Sequence, residues 1–291
     1  MKRSNELVLK AFLSRCAPEK KKALERFLSE KERARLEELP SFPKEVSAKG
    51  FSNGNLLEQV HWSWFLPTLK TYPQREQKGF LTALASQAPA TAESLGAALE
   101  LQIPPANELT EAGLSFLREI LVNSLVGTED RLLPVDYLPP SPLNRLLWFS
   151  KKDLIRLIDF LSMYDLSAEL RQIVETKTLK KIYAILTEDE RKVLKIASSQ
   201  KEVFSLPRMG LEKWDGSEES LKVLLHRRGL SRFGTALSGQ NLDFIWYICH
   251  HLDIGRGNAL FKLYSKEGSP EISEAIIRQI EELLSNTDRL L

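Results

Sequence analysis

Apolar residues recur at helical spacing along most of this chain, and proline and glycine mark the breaks between stripes. The pattern is sharpest from Leu221 to Leu291. Leu221, Leu224 and Leu225 share one helical face, which Gly229 is expected to end. Leu230, Phe233 and Leu237 follow one turn apart up to Gly239. Asn241 is placed to cap a helix carrying Leu242, Ile245, Trp246, Cys249 and Leu252. Gly255 and Gly257 punctuate the next stretch, and Leu260, Phe261, Leu263 and Tyr264 form a stripe stopped by Gly268. Pro270 opens a last helix with Ile272, Ile276, Ile280 and Leu283 inside.

The rest of the chain predicts helices too. Residues 4–39 read as two, with Leu7, Leu9, Phe12 and Leu13 before a break at Ala17-Pro18, then Ala23, Leu24, Phe27 and Leu28. Residues 40–55 hold two prolines, two glycines and three serines and read as a linker. Leu114, Leu117, Leu121 and Leu125 share a face, and four prolines between Pro134 and Pro142 mark a second linker, since proline at that density cannot be helix interior. From Leu143 to Ser198 two stripes recur, with Thr187 and Glu190 spaced as a capping box. Proline-to-Phe-Leu spacings of similar form at Pro18 and Pro73 echo each other, as stacked helix pairs would. The expectation is an all-α protein: an armadillo-like right-handed superhelix of stacked helix pairs with a C-terminal helical domain. Its segments would be residues 1–50, 51–142 and 143–291.

Composition narrows the function. Of 291 residues, 43% are hydrophobic and 27% charged, enough for a buried core, and the net charge of +2 singles out neither nucleic acid nor an acidic substrate. Residues 1–50 carry 13 basic against 8 acidic side chains, and residues 86–142 carry 8 acidic against 2 basic, so the two blocks are complementary in sign. Cys16 and Cys249 give neither a disulfide framework nor metal spacing, which suits a reducing cytoplasm. No apolar run approaches the roughly eighteen residues that a membrane span needs. No phosphate-cradling glycine loop and no nucleophile elbow is present. Adjacent helical residues point about 100° apart, so His250 and His251 beside Cys249 and Asp253 are poorly placed to share an ion. Neither a catalytic residue nor a cofactor or metal is expected.

Val60-His61-Trp62-Ser63-Trp64-Phe65-Leu66 stands out. Its aromatic density exceeds what one helix face buries, so it is either enclosed on several sides or partly turned to a partner. His61, Trp62, Trp64 and Phe65 are the candidate partner face. Arg227 and Arg228, with Arg232, either complement a helix end or meet an acidic partner.

The order Leu224-Leu225, Leu230, Phe233, Ala236-Leu237-Ser238-Gly239, Leu242, Leu252, Arg256, Leu260, Gly268-Ser269-Pro270, Ile272 resembles the C-terminal domain of the flagellar motor switch protein FliG family. That family shows an A-L-K-G helix end, then M-S-x-R-A-A, then G-P-V before a final helix. The N-terminal rhythm of residues 7–36 is similar to the family's N-terminal domain, and Glu58 to His61 carries a trace of its E-H-P-Q motif. The resemblance implies a structural adaptor. Its partners would be the cytoplasmic tail of a membrane-ring protein and a cytoplasmic ring (switch) protein, with copies of itself beside it. It would be cytoplasmic and held at the inner membrane only through proteins. The family's torque helix corresponds to Lys213 to Leu225. There Lys213 and Asp215 keep charge, but Gly216 interrupts the helix and most of the charge pattern is gone. The expectation is therefore ring assembly without torque, in a flagellar or type III secretion apparatus. An SctK-like secretion accessory subunit and a helical enzyme or regulator are the alternatives.

Overall fold

The computed structural model of the chain describes residues 2–39, 53–105, 109–126, 132–200, 208–264 and 269–285. Among these there is no strand, and no helix is long and apolar enough to cross a membrane. In chain order the helices are α1 (Lys2–Arg15), α2 (Pro18–Glu25), α3 (Glu30–Glu38), α4 (Asn53–Gln59), α5 (Leu66–Leu69), α6 (Gln74–Ala85), α7 (Pro89–Leu99), α8 (Glu111–Val126), α9 (Lys151–Leu170), α10 (Thr176–Ile185), α11 (Glu188–Ser199), α12 (Glu218–Ala236), α13 (Leu242–His251), α14 (Ile254–Leu263) and α15 (Pro270–Ser285). Short 3₁₀ turns lie at Trp62–Trp64, Val135–Tyr137, Pro142–Trp148 and Leu211–Lys213. The all-α expectation is met at this level. Most of the proposed linker at residues 40–55 falls outside the described residues, as does Gly268.

The contacts divide the chain into two compact units, and they are not consecutive segments. One comprises Met1–Ser141 with Asn241–Ile254; the other comprises Pro142–Gln240 with Gly255–Leu291. Of the expected segments, the break after residue 142 lies one residue from the division at Ser141 and Pro142, whereas 1–50 and 51–142 fall in one unit and residues 241–254 leave the third segment. A linear reading follows the chain, whereas burial also joins stretches far apart in it.

In the first unit, α6, α7 and α8 pack around Leu57, Val60, Phe65, Leu69, Phe80, Leu81, Leu84, Leu95 and Leu121. Each such side chain contributes about 1.5–3 kcal/mol by leaving water. Leu7, Ala11 and Leu13 of α1 are buried, and α1 packs on α3 and the 135–137 turn. There Arg15 donates to the Asp136 carbonyl at 2.9 Å and lies 4.6 Å from the Tyr137 ring centroid. Two helices were expected before residue 40 and three are present, because Ser29 and Glu32 close a capping box that starts α3. The predicted stripe of Ala23, Leu24, Phe27 and Leu28 is not core, since none of the four is buried. α2 is charged and buries nothing, and Phe27, past its end, is 87% exposed.

The proline-rich run, within which the two units divide, carries buried side chains. In the first unit Leu133, Tyr137 and Leu138 are buried, and in the second Leu143 and Leu146 are buried. Proline forbids α-helix interior there, but short 3₁₀ turns between the prolines still turn apolar side chains inward.

In the second unit α9 is the central rod. Leu154, Leu157, Ile158, Leu161, Met163 and Leu166 on it have no exposure at all, and α11 and α12 pack along it. Helix α12 runs straight through Gly229, which the sequence pattern took for a helix end. The glycine is there for closeness: a Cβ at 229 would sit 1.9 Å from the Ile158 carbonyl oxygen of α9. Gly234 is tight in the same way, with a would-be Cβ 2.7 Å from the Leu263 Cβ. Gly255 and Gly257 likewise lie inside α14 rather than between elements. Other punctuation matches expectation: Thr187 and Glu190 form a capping box, Asn241 accepts from the Asp243 and Phe244 N–H groups, and Pro270 opens α15.

The α9–α12 seam of this unit buries charge. Arg232 has no exposure, and it donates to Asp165 Oδ1 at 2.6 Å and to Gln279 Oε1 at 2.9 and 3.2 Å. Arg228 donates to the other oxygen of Asp165 at 2.7 Å. Both carboxylate oxygens are thus occupied by guanidinium, the arrangement that offsets the cost of burying the ions.

Candidate functional site

The aromatic cluster is the most densely connected of the candidate groups, and its partner is a stretch of this same unit. Residues 62–64 form a 3₁₀ turn rather than the expected helix face. The turn is fixed at both ends. The His61 N–H donates to the His250 carbonyl at 2.8 Å, and the Trp64 indole N–H donates to the Leu252 carbonyl at 2.9 Å. Ser63 Oγ accepts from the Ile254 N–H at 2.9 Å and lies 2.8 Å from His61 Nδ1. The Ser63 N–H also points to His61 Nδ1, so that nitrogen is an acceptor and Ser63 is the donor between the two side chains.

Three rings stack behind the turn. His250 lies between Trp64, at 4.0 Å between centroids and 29° between planes, and Trp246, at 3.8 Å and 17°. Its Nδ1 donates to the Trp246 carbonyl one turn earlier on α13, at 2.8 Å. Burial pushes the His250 imidazole down to about 4, so it is neutral at ordinary pH. Tyr247 on the same helix donates to the Leu133 carbonyl at 2.8 Å, and burial raises its phenol.

Of the four candidate residues, Phe65 is therefore core, with no exposure, and Trp64 is a strut whose indole N–H is satisfied internally. His61 and Trp62 are half-buried, with their rings 5.3 Å apart. Of the two readings of the aromatic run, enclosure describes Phe65 and Trp64. The missing signal was its partner: Trp246 and His250, spaced i and i+4, lie on one side of α13 and meet it across the sequence.

The charged candidates belong to the second unit. Arg228 is committed to Asp165 and is not a free cation. Arg227 is exposed. Asp215 is also exposed but braces Ser217, the N-cap of α12, accepting from the Ser217 N–H at 2.8 Å and from the hydroxyls of Ser217 and Ser220. Those hydrogen bonds, Ser220 first, hold its carboxyl below the usual range. The Lys213 side chain lies outside the described residues. Asp215, Arg227 and Arg228 thus do three separate things and do not form one charged face.

Two further groups resemble chemistry. Cys249 is buried, and burial pushes its thiol up to about 12, which makes it a poor nucleophile and a poor metal ligand. Among the described residues no three His, Cys, Asp or Glu side chains come together to hold a metal ion. His226 faces Asp159 at 2.6 Å through Nδ1, a carboxylate–imidazole pair of the kind that general bases use. Its Nε2 accepts from the Arg256 guanidinium at 2.9 Å, so both ring nitrogens are occupied within the fold. Nothing matches this chain among family models, curated proteins or solved structures.

Proposed function

We propose that this chain is a non-catalytic helical adaptor related to the FliG family, joining a membrane-embedded ring to a cytoplasmic ring without generating torque. What carries the reading is where the helices stop. The Ala236-Leu237-Ser238-Gly239 run closes α12, with Gly239 at φ +81, and Ser269-Pro270 opens α15. Both breaks fall at the motif positions through which the chain resembles that family. Side-by-side packing of α6, α7 and α8, and of α9, α11 and α12, suits helix pairs stacked in an armadillo-like right-handed superhelix. Gly216, at φ +84, keeps Lys213 and Asp215 out of α12, so the stretch matched to the torque helix is α-helical only from Glu218 on, which fits a shortened torque helix. One departure stands beside these: residues 241–254 join the first unit instead of forming one C-terminal domain with α12, α14 and α15.

The partners are the cytoplasmic tail of the membrane-ring protein, the switch-type ring protein and further copies of this chain. The protein then works in the cytoplasm, at the inner membrane through those proteins. Docking in this reading falls to large apolar side chains left on helix surfaces: Phe116 is 62% exposed and Trp148 68%. The test is capture of the full chain by the purified membrane-ring tail. Binding at tens of micromolar or tighter is expected, weakened about tenfold by Phe116→Ser or Trp148→Ser with the melting curve unchanged. A tail that retains no protein at that concentration overturns the reading.

A further inference from the structure

The first unit exposes phenylalanine rings on two of its faces, and the two faces carry opposite charge. On the outer side of α1, Val8 and Phe12 lie one turn apart and are 39% and 44% exposed. Lys20 of α2 lies over the Phe12 ring, 5.9 Å from its centroid, so this side of α1 adjoins α2. Lys20, Ala23 and Phe27 then recur at helical spacing, all of them exposed. Phe27 follows directly on Arg26, the C-cap of α2. Residues 18–35 hold seven Lys and Arg against four Glu. Lys21 pairs with Glu25 at 3.7 Å, while Lys22 and Arg26 are exposed to solvent.

The second face is the outer side of α8. Ala112, Phe116, Glu119 and Asn123 share it at helical spacing, and all four are exposed. Residues 89–126 hold five Glu against Arg118 alone. Arg118 is buried, donates to the Ser86 hydroxyl and pairs with Glu111 at 2.6 Å. Glu119 on α8 and Glu93 on α7 remain exposed. Since Phe12, Phe27 and Phe116 are all exposed, the two faces do not cover one another within a single chain. Between two chains each supplies what the other lacks, an aromatic ring to pack on and charge of the opposite sign.

We propose that these faces join two copies of this chain, with Phe27 and the cations of α2 on one copy set against Phe116 and Glu119 on α8 of the next. Each copy uses a different face at its two contacts, so the arrangement is heterologous and propagates, into a closed ring or an open row. The proposal rests on the self-association in the adaptor reading and names its surfaces. Where copies have joined, Phe116 is covered, which leaves Trp148 to the ring tail.

Sedimentation velocity of the full chain by itself, with neither ring protein present, tests this contact apart from the rest of that reading. Species larger than the monomer are expected as concentration rises through about 10–100 µM at low salt, and about 0.5 M salt should weaken association roughly tenfold. Phe27→Ser should weaken it about tenfold with the melting curve unchanged. Lys22→Glu with Arg26→Glu, and separately Glu93→Lys with Glu119→Lys, should each leave a monomer, because like charges then meet. Mixing these two variants should restore association, since each carries a face of the sign the other needs. A wild-type chain that stays monomeric up to about 500 µM, association indifferent to salt and to Phe27→Ser, or a mixture that remains monomeric overturns the proposal. So does a monomer that instead cosediments with phosphatidylglycerol vesicles, which would assign the basic face to lipid. Association by this route without capture by the ring tail supports the contact and overturns the adaptor reading alone.

Discussion

His250 shows what a single side chain does in this protein. It is enclosed by two indoles and hydrogen-bonded to its own helix, and its imidazole is held down at about 4. An unfolded histidine titrates near about 6.5. Above that pH both states are neutral and the contribution to stability is complete. As pH falls from there towards 4, the unfolded chain takes up a proton that the folded chain refuses, so stability is lost across that window. The loss is about 3 kcal/mol in all, since each tenfold difference in proton affinity between the two states is worth about 1.4 kcal/mol. His250→Phe, which keeps the stack but cannot titrate, should flatten that part of the profile in urea unfolding between about pH 7 and pH 4.5. An identical slope in the two proteins would mean that other groups carry the acid sensitivity. Little of this is legible in the sequence. Cys249, His250 and His251 stand side by side and raise the question of metal, but the indole opposite His250 comes from Trp64, which no local pattern connects to it.

Among the elements, α12 is the one whose local reading failed most usefully. A glycine after a leucine stripe signals either a helix end or a close approach, and the residues around Gly229 do not distinguish them. The deciding atom, the Ile158 carbonyl oxygen, belongs to α9. Alanine in place of a mid-helix glycine ordinarily gains roughly 0.5–1 kcal/mol. Here the contact is to backbone, which cannot step aside as a flexible side chain would. Gly229→Ala should therefore destabilise, at the upper end of the roughly 1–3 kcal/mol typical of overpacking. Thermal melting of the variant checks the sign, and a rise in midpoint would show that α9 and α12 separate freely. Where the stop signal is local, the sequence sufficed: Thr187 with Glu190, Asn241 and Pro270 each start their helix through groups within three residues. The aromatic run was harder. Its enclosure was one of two open readings, because density of tryptophan says that burial is needed and not where it is found.

At the scale of the whole molecule, the chain contributes to the first unit, leaves for the second, and returns with α13 before ending in the second. No cut in the sequence separates the units. A fragment of residues 1–141 lacks α13 and with it the acceptors for the His61 and Trp64 N–H groups and the donor to Ser63. It should show poor dispersion of its amide resonances and bind a hydrophobic dye, and residues 241–254 fused through a flexible linker should restore a cooperative melt. A well-folded 1–141 fragment would show that α13 is dispensable. The break read at the proline-rich run lies one residue from where the units divide, but no composition signal marked the return of residues 241–254, because proline-rich runs show where helices break and not which later stretch completes a unit.

The return of α13 also sets an order in time. The bond between Trp64 and Leu252 joins positions 188 residues apart. At ordinary rates of synthesis the ribosome needs roughly 10–40 s to make the second partner after the first. Throughout that interval the nascent first half carries the Trp64 indole without the carbonyl and the imidazole ring that later meet it. Newly made copies are then most vulnerable to clumping, and most in need of a chaperone, before the last sixth of the chain emerges.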